Sequence, residues 1–307
     1  MSLGGYRNYS AASILPIRSQ EALSLEIQSG AAITHLKISP NGDRAALARV
    51  DSRIELFHRG TLAWSFSFES DDDRHKPIDY VRGLAFSHDE SRLFVLAHET
   101  CSCFSVNDNE LLWERSVERI NAFQITYPVS CLPLADGVIV AYENGTIHRL
   151  DMDGEVKWQI TEAFTPRWMR RVGDIIVGLD GHNHCQWDVS NGARIKARKV
   201  PNRVFAYDRN NFGTVYRTAD HVVWVNDAGE SAQENTSVGL PSVIVSSLGV
   251  VGWGELNHLQ LWWPQEGRRI ALKLPSEIMS IAQHPVSQHF WLGLRDGSVM
   301  STSLNIS

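Results

Sequence analysis

Along most of the chain, Val, Ile, Leu, Phe and Trp alternate with polar residues in short segments, and Gly, Asp and Asn separate one segment from the next. ITHLKISPNG, SRLFVLAHE and VIVAYENG are examples. No stretch keeps a helical period over three turns. A period of two over five or six residues puts apolar side chains on one face of an extended strand, so the pattern predicts many short antiparallel strands joined by tight turns.

The segments repeat. ENGTIHRLDMDGEVKWQI (residues 143–160) reads as turn, strand, turn at Asp153-Gly154, and a second strand carrying Trp158. The same form starts at Asp51, at His98 and in GHNHCQWDVSNGARIKA, and continues in three later copies. Anchoring each copy on the large residue late in its first strand gives Phe57, Phe104, Leu150, Trp187, Trp224, Trp262 and, more weakly, Thr302. The gaps are 47, 46, 37, 37, 38 and 40 residues. A period near 40 holds four strands, the size of a propeller blade. Two further strands precede each copy, as VRGLAFSHDE and SRLFVLAHE do in the second. The expected fold is therefore all-β: a seven-bladed β-propeller of four-stranded antiparallel blades, one domain over residues 1–307.

The two ends fit this count. The chain stops after the third strand of the seventh repeat, while EALSLEIQSG (residues 21–30) is strand-like and has no blade of its own. Pairing the surplus strand with the incomplete blade closes the ring, with blades one to seven in residues 31–307 and no open sheet edge between the chain ends.

The repeats resemble two propeller families. ISPNGDRAALARVDSRIELF is similar to the late part of a WD40 repeat, with SPNG as its first hairpin turn and Asp51 six residues before Phe57; RDGSVMST repeats that spacing weakly. LDMDGEVKW and FSVNDNELLW resemble the tryptophan-bearing half of PQQ-like repeats. WD40 proteins mostly serve as docking platforms, so that resemblance implies a binding role. Quinone-dependent PQQ enzymes are much longer, exported, and carry calcium, quinone and a vicinal disulfide. Here Ser102 separates Cys101 from Cys103, and no cofactor is expected.

Composition narrows the partners. With 29 basic and 35 acidic residues the net charge is −6, which argues against a general nucleic-acid coat. Four cysteines (Cys101, Cys103, Cys131 and Cys185) in a chain of 307 residues fit a reducing compartment. No apolar run approaches the roughly 20 residues that span a bilayer. The N-terminus lacks the basic start and apolar run of a signal peptide. The expectation is a cytoplasmic protein with no membrane contact.

Candidate chemistry is sparse. The fourth repeat is unusually basic: Arg167, Arg170 and Arg171 surround Trp168, and Arg194, Lys196 and Arg198 alternate in ARIKARKV, with Lys199 and Arg203 following. Period two places Arg194, Lys196 and Arg198 on one strand face, suited to phosphate or an acidic protein. Cations on an edge strand also serve simply to deter unwanted pairing. An acidic residue lies in or beside the turn between second and third strands of every repeat: Asp51, Glu99, Glu143, Asp180, Asp220, Glu255 and Asp296. Either these ring a channel mouth, or they stabilise turns by bonding to the backbone. His182, His184 and Cys185 have metal-compatible side chains but no spaced second ligand pair. Asp151-Met-Asp153-Gly154-Glu155 is a hairpin turn without the ligand spacing of a calcium loop. ESDDDRHKPIDY (residues 69–80) reads as an exposed insertion, and strand alternation should bury one of Trp262 and Trp263 and turn the other outward. Familiar nucleophile-elbow, phosphate-loop, zinc-protease and dinucleotide motifs are absent. The leading expectation is a noncatalytic scaffold for a protein partner. The alternatives are an enzyme or small-ligand site in the central channel, and nucleic-acid or phosphate binding through blade four.

Overall fold

The computed structural model describes residues 23–303 apart from 29, 69–80, 118–125, 201–202, 211, 227, 237–242, 247 and 288, so the insertion at 69–80 lies outside it. The described residues form 28 strands in seven four-stranded antiparallel sheets, a seven-bladed β-propeller. Blade one holds β2 (Ile33–Ile38), β3 (Arg44–Arg49), β4 (Arg53–His58) and β5 (Thr61–Ser67). Blade two holds β6 (Val81–Phe86), β7 (Arg92–Ala97), β8 (Thr100–Ser105) and β9 (Leu111–Ser116). Blade three holds β10 (Pro128–Leu134), β11 (Gly137–Tyr142), β12 (Thr146–Asp151) and β13 (Val156–Thr161). Blade four holds β14 (Trp168–Val172), β15 (Ile175–Leu179), β16 (Asn183–Asp188) and β17 (Arg194–Lys199). Blade five runs from β18 (Ala206–Asn210) through β19 (Gly213–Arg217) and β20 (His221–Val225) to β21 (Ser231–Asn235). Blade six runs from β22 (Val243–Val245) through β23 (Val251–Glu255) and β24 (His258–Trp263) to β25 (Arg268–Lys273). Each of these sheets is a simple meander.

Blade seven is the exception that the count of strands at the chain ends predicts. Its own strands are β26 (Ile278–Gln283), β27 (His289–Leu294) and β28 (Ser298–Ser303), and β1 (Leu23–Gln28) adds to β28 as the fourth. The pairing is antiparallel, from Leu23 opposite Thr302 to Gln28 opposite Ser298. Ile27 is buried, and Ser301 Oγ donates to Glu26 Oε1 at 2.6 Å.

The chain packs as two compact units, Thr34–Pro201 and Met1–Ile33 with Asn202–Ser307. In the first unit, the second strands β3, β7, β11 and β15 are buried at nearly every position. The near-continuous apolar runs of β7 and β11, LFVLA and GVIVAY, follow from a neighbouring blade covering each face. Ile54 and Leu56 of blade one pack with Leu84, Leu93 and Phe104 of blade two. Phe94, Leu96, Cys101 and Cys103 pack with Val138, Val140 and Tyr142, and Ile139 and Ile147 pack with Met169, Ile176 and Trp187. The core thus lies between blades.

The fourth strands lock these layers in one direction. In blades one to four the register slips by one residue at the anchor: Leu56 faces Trp64 but Phe57 faces Leu62, and the same slip recurs at Phe104, Leu150 and Trp187. Each bulge twists the strand end and re-aims the residue after it. Trp64 Nε1 donates to the Val106 carbonyl at 2.9 Å, Trp113 Nε1 to Met152 at 2.8 Å, and Trp158 Nε1 to Val189 at 3.0 Å. Every acceptor is two residues past the next blade's anchor. The turn beside it must be bare: a Cβ on Gly154 would lie 2.8 Å from the Trp113 ring, and one on Gly192 2.9 Å from Trp158. In blade four the tryptophan position, opposite Gln186, holds Lys196.

In the second unit, Trp262 packs with Trp224 and Trp253 of the layer between blades five and six, while Trp263 packs with Phe290 and Leu292 between blades six and seven. Alternation does send the two rings to opposite faces, but both are buried, at 2% and 7% exposure. This corrects the expectation of one outward tryptophan, because blade six is covered on both faces. The Arg268 guanidinium sits 4.0 Å above the Trp263 ring.

Candidate interaction surface

Local chemistry fixes the hairpin that presents β17. Asp188 Oδ1 accepts the Ser190 N–H at 2.7 Å and the Ser190 hydroxyl, and these bonds hold its carboxyl below the usual range. Asn191 Oδ1 accepts the Ala193 N–H at 2.8 Å, and Gly192 takes the left-handed φ of 72° that a side chain resists.

The bulge then divides the cations of β17. Arg194 faces Trp187, whereas Lys196 and Arg198 face Gln186 and His184 on the other side of the sheet. The three do not share one face, because the extra residue at Ile195 shifts the alternation. Arg194 Nη1 reaches Glu162 Oε2 at 3.0 Å, and Glu162 Oε1 accepts the Trp187 indole N–H at 2.7 Å. Lys196, Arg198 and Lys199 have no carboxylate partner among the described residues. All six residues of β17 are exposed, including Ile195 at 54%. Every other fourth strand that follows its blade in sequence has at least one partly or fully buried residue.

The remaining basic residues of the fourth repeat lie elsewhere. Trp168, Arg170 and Arg171 belong to β14, with Arg167 just before it, at the opposite edge of the sheet order β14-β15-β16-β17. Three strand spacings separate the edges, about 14 Å. Arg171 Nε donates to the Gly173 carbonyl at 2.7 Å, and its guanidinium lies 3.7 Å from Asp174. Arg170 Nη1 donates to the Met169 carbonyl at 3.2 Å. Arg203 stacks 5.0 Å over Phe205. The structure therefore gathers Arg194, Lys196, Arg198 and Lys199 on one edge and does not bring the other cations to it.

Five of the second-turn acidic residues have side-chain partners within the protein, and for Asp180 and Asp296 these lie in the turn itself. Asp180 accepts the His182 and Asn183 N–H groups at 2.9 and 2.6 Å, and Asp296 accepts from Ser298 N and Oγ at 2.9 and 2.6 Å. Asp51 pairs with Arg49 at 3.2 Å and Glu143 with Arg82 at 3.0 Å. Glu255 accepts from Thr236, Trp253 and Gln260 at 2.8, 3.0 and 3.2 Å. Asp151 caps its own hairpin through the Asp153 and Glu155 N–H groups, both at 2.9 Å, and pairs with Lys157 at 2.7 Å, which lowers its pKa.

His184 and Cys185 are buried in blade four while His182 is exposed. Among the described residues no group of three or more His, Cys, Asp and Glu is arranged to hold a metal ion. Cys101 and Cys103 do share one face, as their spacing implies, but that face is core. Burial pushes the Cys103 thiol up to about 12 and the Cys185 thiol to about 11, so neither is a ready nucleophile.

One feature had no sequence signal beyond a repeated turn. SPNG and SHDE form matching first hairpins in blades one and two, and between them lies a polar cleft of about 320 Å³ lined by Asn41, Asp43, Arg44, His58, Asp89 and Glu90. Arg44 bridges it, donating to the Glu90 carbonyl at 3.1 Å and to Asn107 Oδ1 at 3.0 Å.

The fold places the chain in the class of seven-bladed β-propellers. No protein-family model matches it, and no curated protein matches it. No helix among the described residues is long and apolar enough to cross a membrane.

Proposed function

We propose that this chain is a noncatalytic platform that binds a protein partner through the outer edge of blade four, in the cytoplasm. The observation that carries the reading is β17, an edge strand exposed at all six positions, with three cations that have no carboxylate partner among the described residues. Exposed, unneutralised charge beside an apolar Ile195 is the composition of a polar-rimmed contact rather than of a packed layer. The likeness to WD40 repeats, whose members mostly dock other proteins, supports the same role. Trp64, Trp113 and Trp158 support the likeness to PQQ-like repeats at the level of blade packing. Four cysteines without a disulfide support a reducing compartment.

Lysine-directed crosslinking of the tagged chain in native lysate, followed by peptide mapping, tests this. Crosslinks to a partner at Lys196 and Lys199, lost in a Lys196→Glu/Arg198→Glu variant that melts like the parent, are expected. Partner crosslinks confined to other blades, or unchanged by the double reversal, overturn it.

A further inference from the structure

Resting on that reading of the blade-four edge, we propose that β17 accepts an acidic, extended segment of the partner as a fifth strand of its sheet. The backbone supplies the first reason. Val200 N–H donates to the His182 carbonyl at 2.7 Å, which makes this pair one that bonds toward β16. In an antiparallel ladder such pairs alternate, so Arg198 with His184 and Lys196 with Gln186 also bond inward. Ala197 and Lys199, which alternate with these pairs ahead of the bulge, therefore turn their N–H and C=O groups away from the sheet. No strand among the described residues pairs with that side. An added strand satisfies these groups in register, as in β-augmentation.

Charge supplies the second reason and selects the occupant. On the other fourth strands nearly every cation is answered within the fold: Arg115 by Glu155 at 2.6 Å, Lys157 by Asp151 at 2.7 Å, Arg268 by Glu266 at 3.4 Å and Arg269 by Glu234 at 3.5 Å. On β17 only Arg194 is answered among the described residues. Lys196 and Arg198 project from one face and Lys199 from the other, so an incoming strand meets positive charge on both sides. A second copy of β17 would set these cations against their own kind, which is how edge strands resist self-pairing. A segment with carboxylates at alternate positions reverses the sign of the interaction. The chain as a whole carries −6, so a run of unneutralised cations at this edge stands against an acidic background.

The third reason is the missing tryptophan. Trp64, Trp113 and Trp158 hold this strand position in blades one to three and are partly buried, whereas Lys196 holds it in blade four and is exposed.

The test uses the full chain and a capped peptide of about eight residues alternating Glu with Val, titrated by fluorescence anisotropy and by amide hydrogen exchange. A peptide of the same charge with two central prolines and a single-stranded oligonucleotide of equal charge are the controls. Saturable binding of the alternating peptide is expected, with exchange at Ala197 and Lys199 slowed about tenfold or more. Lys196→Glu/Arg198→Glu should weaken binding about tenfold, and so should Ala197→Pro, which removes an outward N–H but no inward bond and keeps every charge. Unchanged melting of each variant shows that the fold survives. Binding without protection of those two amides, binding indifferent to Ala197→Pro, or stronger binding of either control overturns the proposal. If the peptide fails while native crosslinks still fall on Lys196 and Lys199, the fifth strand is refuted and the docking edge stands. If the crosslinks fall elsewhere, the docking edge itself is refuted.

Discussion

The tryptophan lock between blades can be tested by adding one methyl group. Gly154 sits in the third hairpin of blade three with φ 79°, and its missing Cβ leaves room for the Trp113 ring of blade two. Gly154→Ala carries three costs. Holding alanine in the left-handed region costs about 1 kcal/mol. A Cβ at 2.8 Å from Trp113 Cδ2 and 2.9 Å from Cγ forces the ring outward, and such overpacking costs about 1 kcal/mol or more. A displaced ring also loses its 2.8 Å bond to the Met152 carbonyl, about 1 kcal/mol. The sum is about 3 kcal/mol. Gly229 is the matched control: it occupies the same hairpin of blade five with φ 85°, but nothing lies within 4 Å of its would-be Cβ. Gly229→Ala should therefore carry only the backbone cost of about 1 kcal/mol. Thermal unfolding followed by tryptophan fluorescence should place Gly154→Ala below Gly229→Ala by about 5 °C, the equivalent of the remaining 2 kcal/mol or so in a chain of this size. Equal shifts for the two variants would show that the ring is not held against this turn, and the lock would be refuted.

Two further outcomes follow from the closure and from a buried histidine. Removing residues 1–30 leaves β28 without its outer partner, so the product should aggregate or melt at least 10 °C or so lower; Ile27→Asp should do the same at full length, and a monomer with unchanged melting in either case counts against the latch. His148 is 5% exposed against Tyr142, and burial lowers its pKa while Gln159, opposite it on β13, pulls the other way. The unfolded chain thus takes up a proton near pH 6.5 that the folded chain resists, so this stability is complete above pH 6.5, declines as the pH falls from there toward the lower folded value, and levels off below it. Comparing melting at pH 7.5 and 5.5, His148→Gln should lose less than the parent, and an identical loss removes His148 as the cause.

Much of this architecture is written locally. Strands, turns and the repeat of about 40 residues follow from side-chain alternation and turn chemistry, which act between near neighbours. The latch was legible too, because a surplus strand at one end and a deficit at the other is a matter of counting. Turn carboxylates such as Asp180 and Asp296 bond residues two or three positions away, so their structural role was within reach of the sequence. What lay beyond it involves partners far along the chain. Trp113 meets Met152 and Gly154 only when blades two and three stack, and nothing in NELLWER names those partners. Trp263 is buried because blade seven covers the face that alternation alone would leave open. The basic repeat read as one patch because its cations are close in sequence, whereas the meander carries β14 and β17 to opposite edges of one sheet. A single bulged residue at Ile195 then turned Arg194 to the Glu162 side and left Lys196 and Arg198 on the other. Composition and periodicity fixed which strands exist; the stacking of sheets and one slip in register decided which charges meet solvent together.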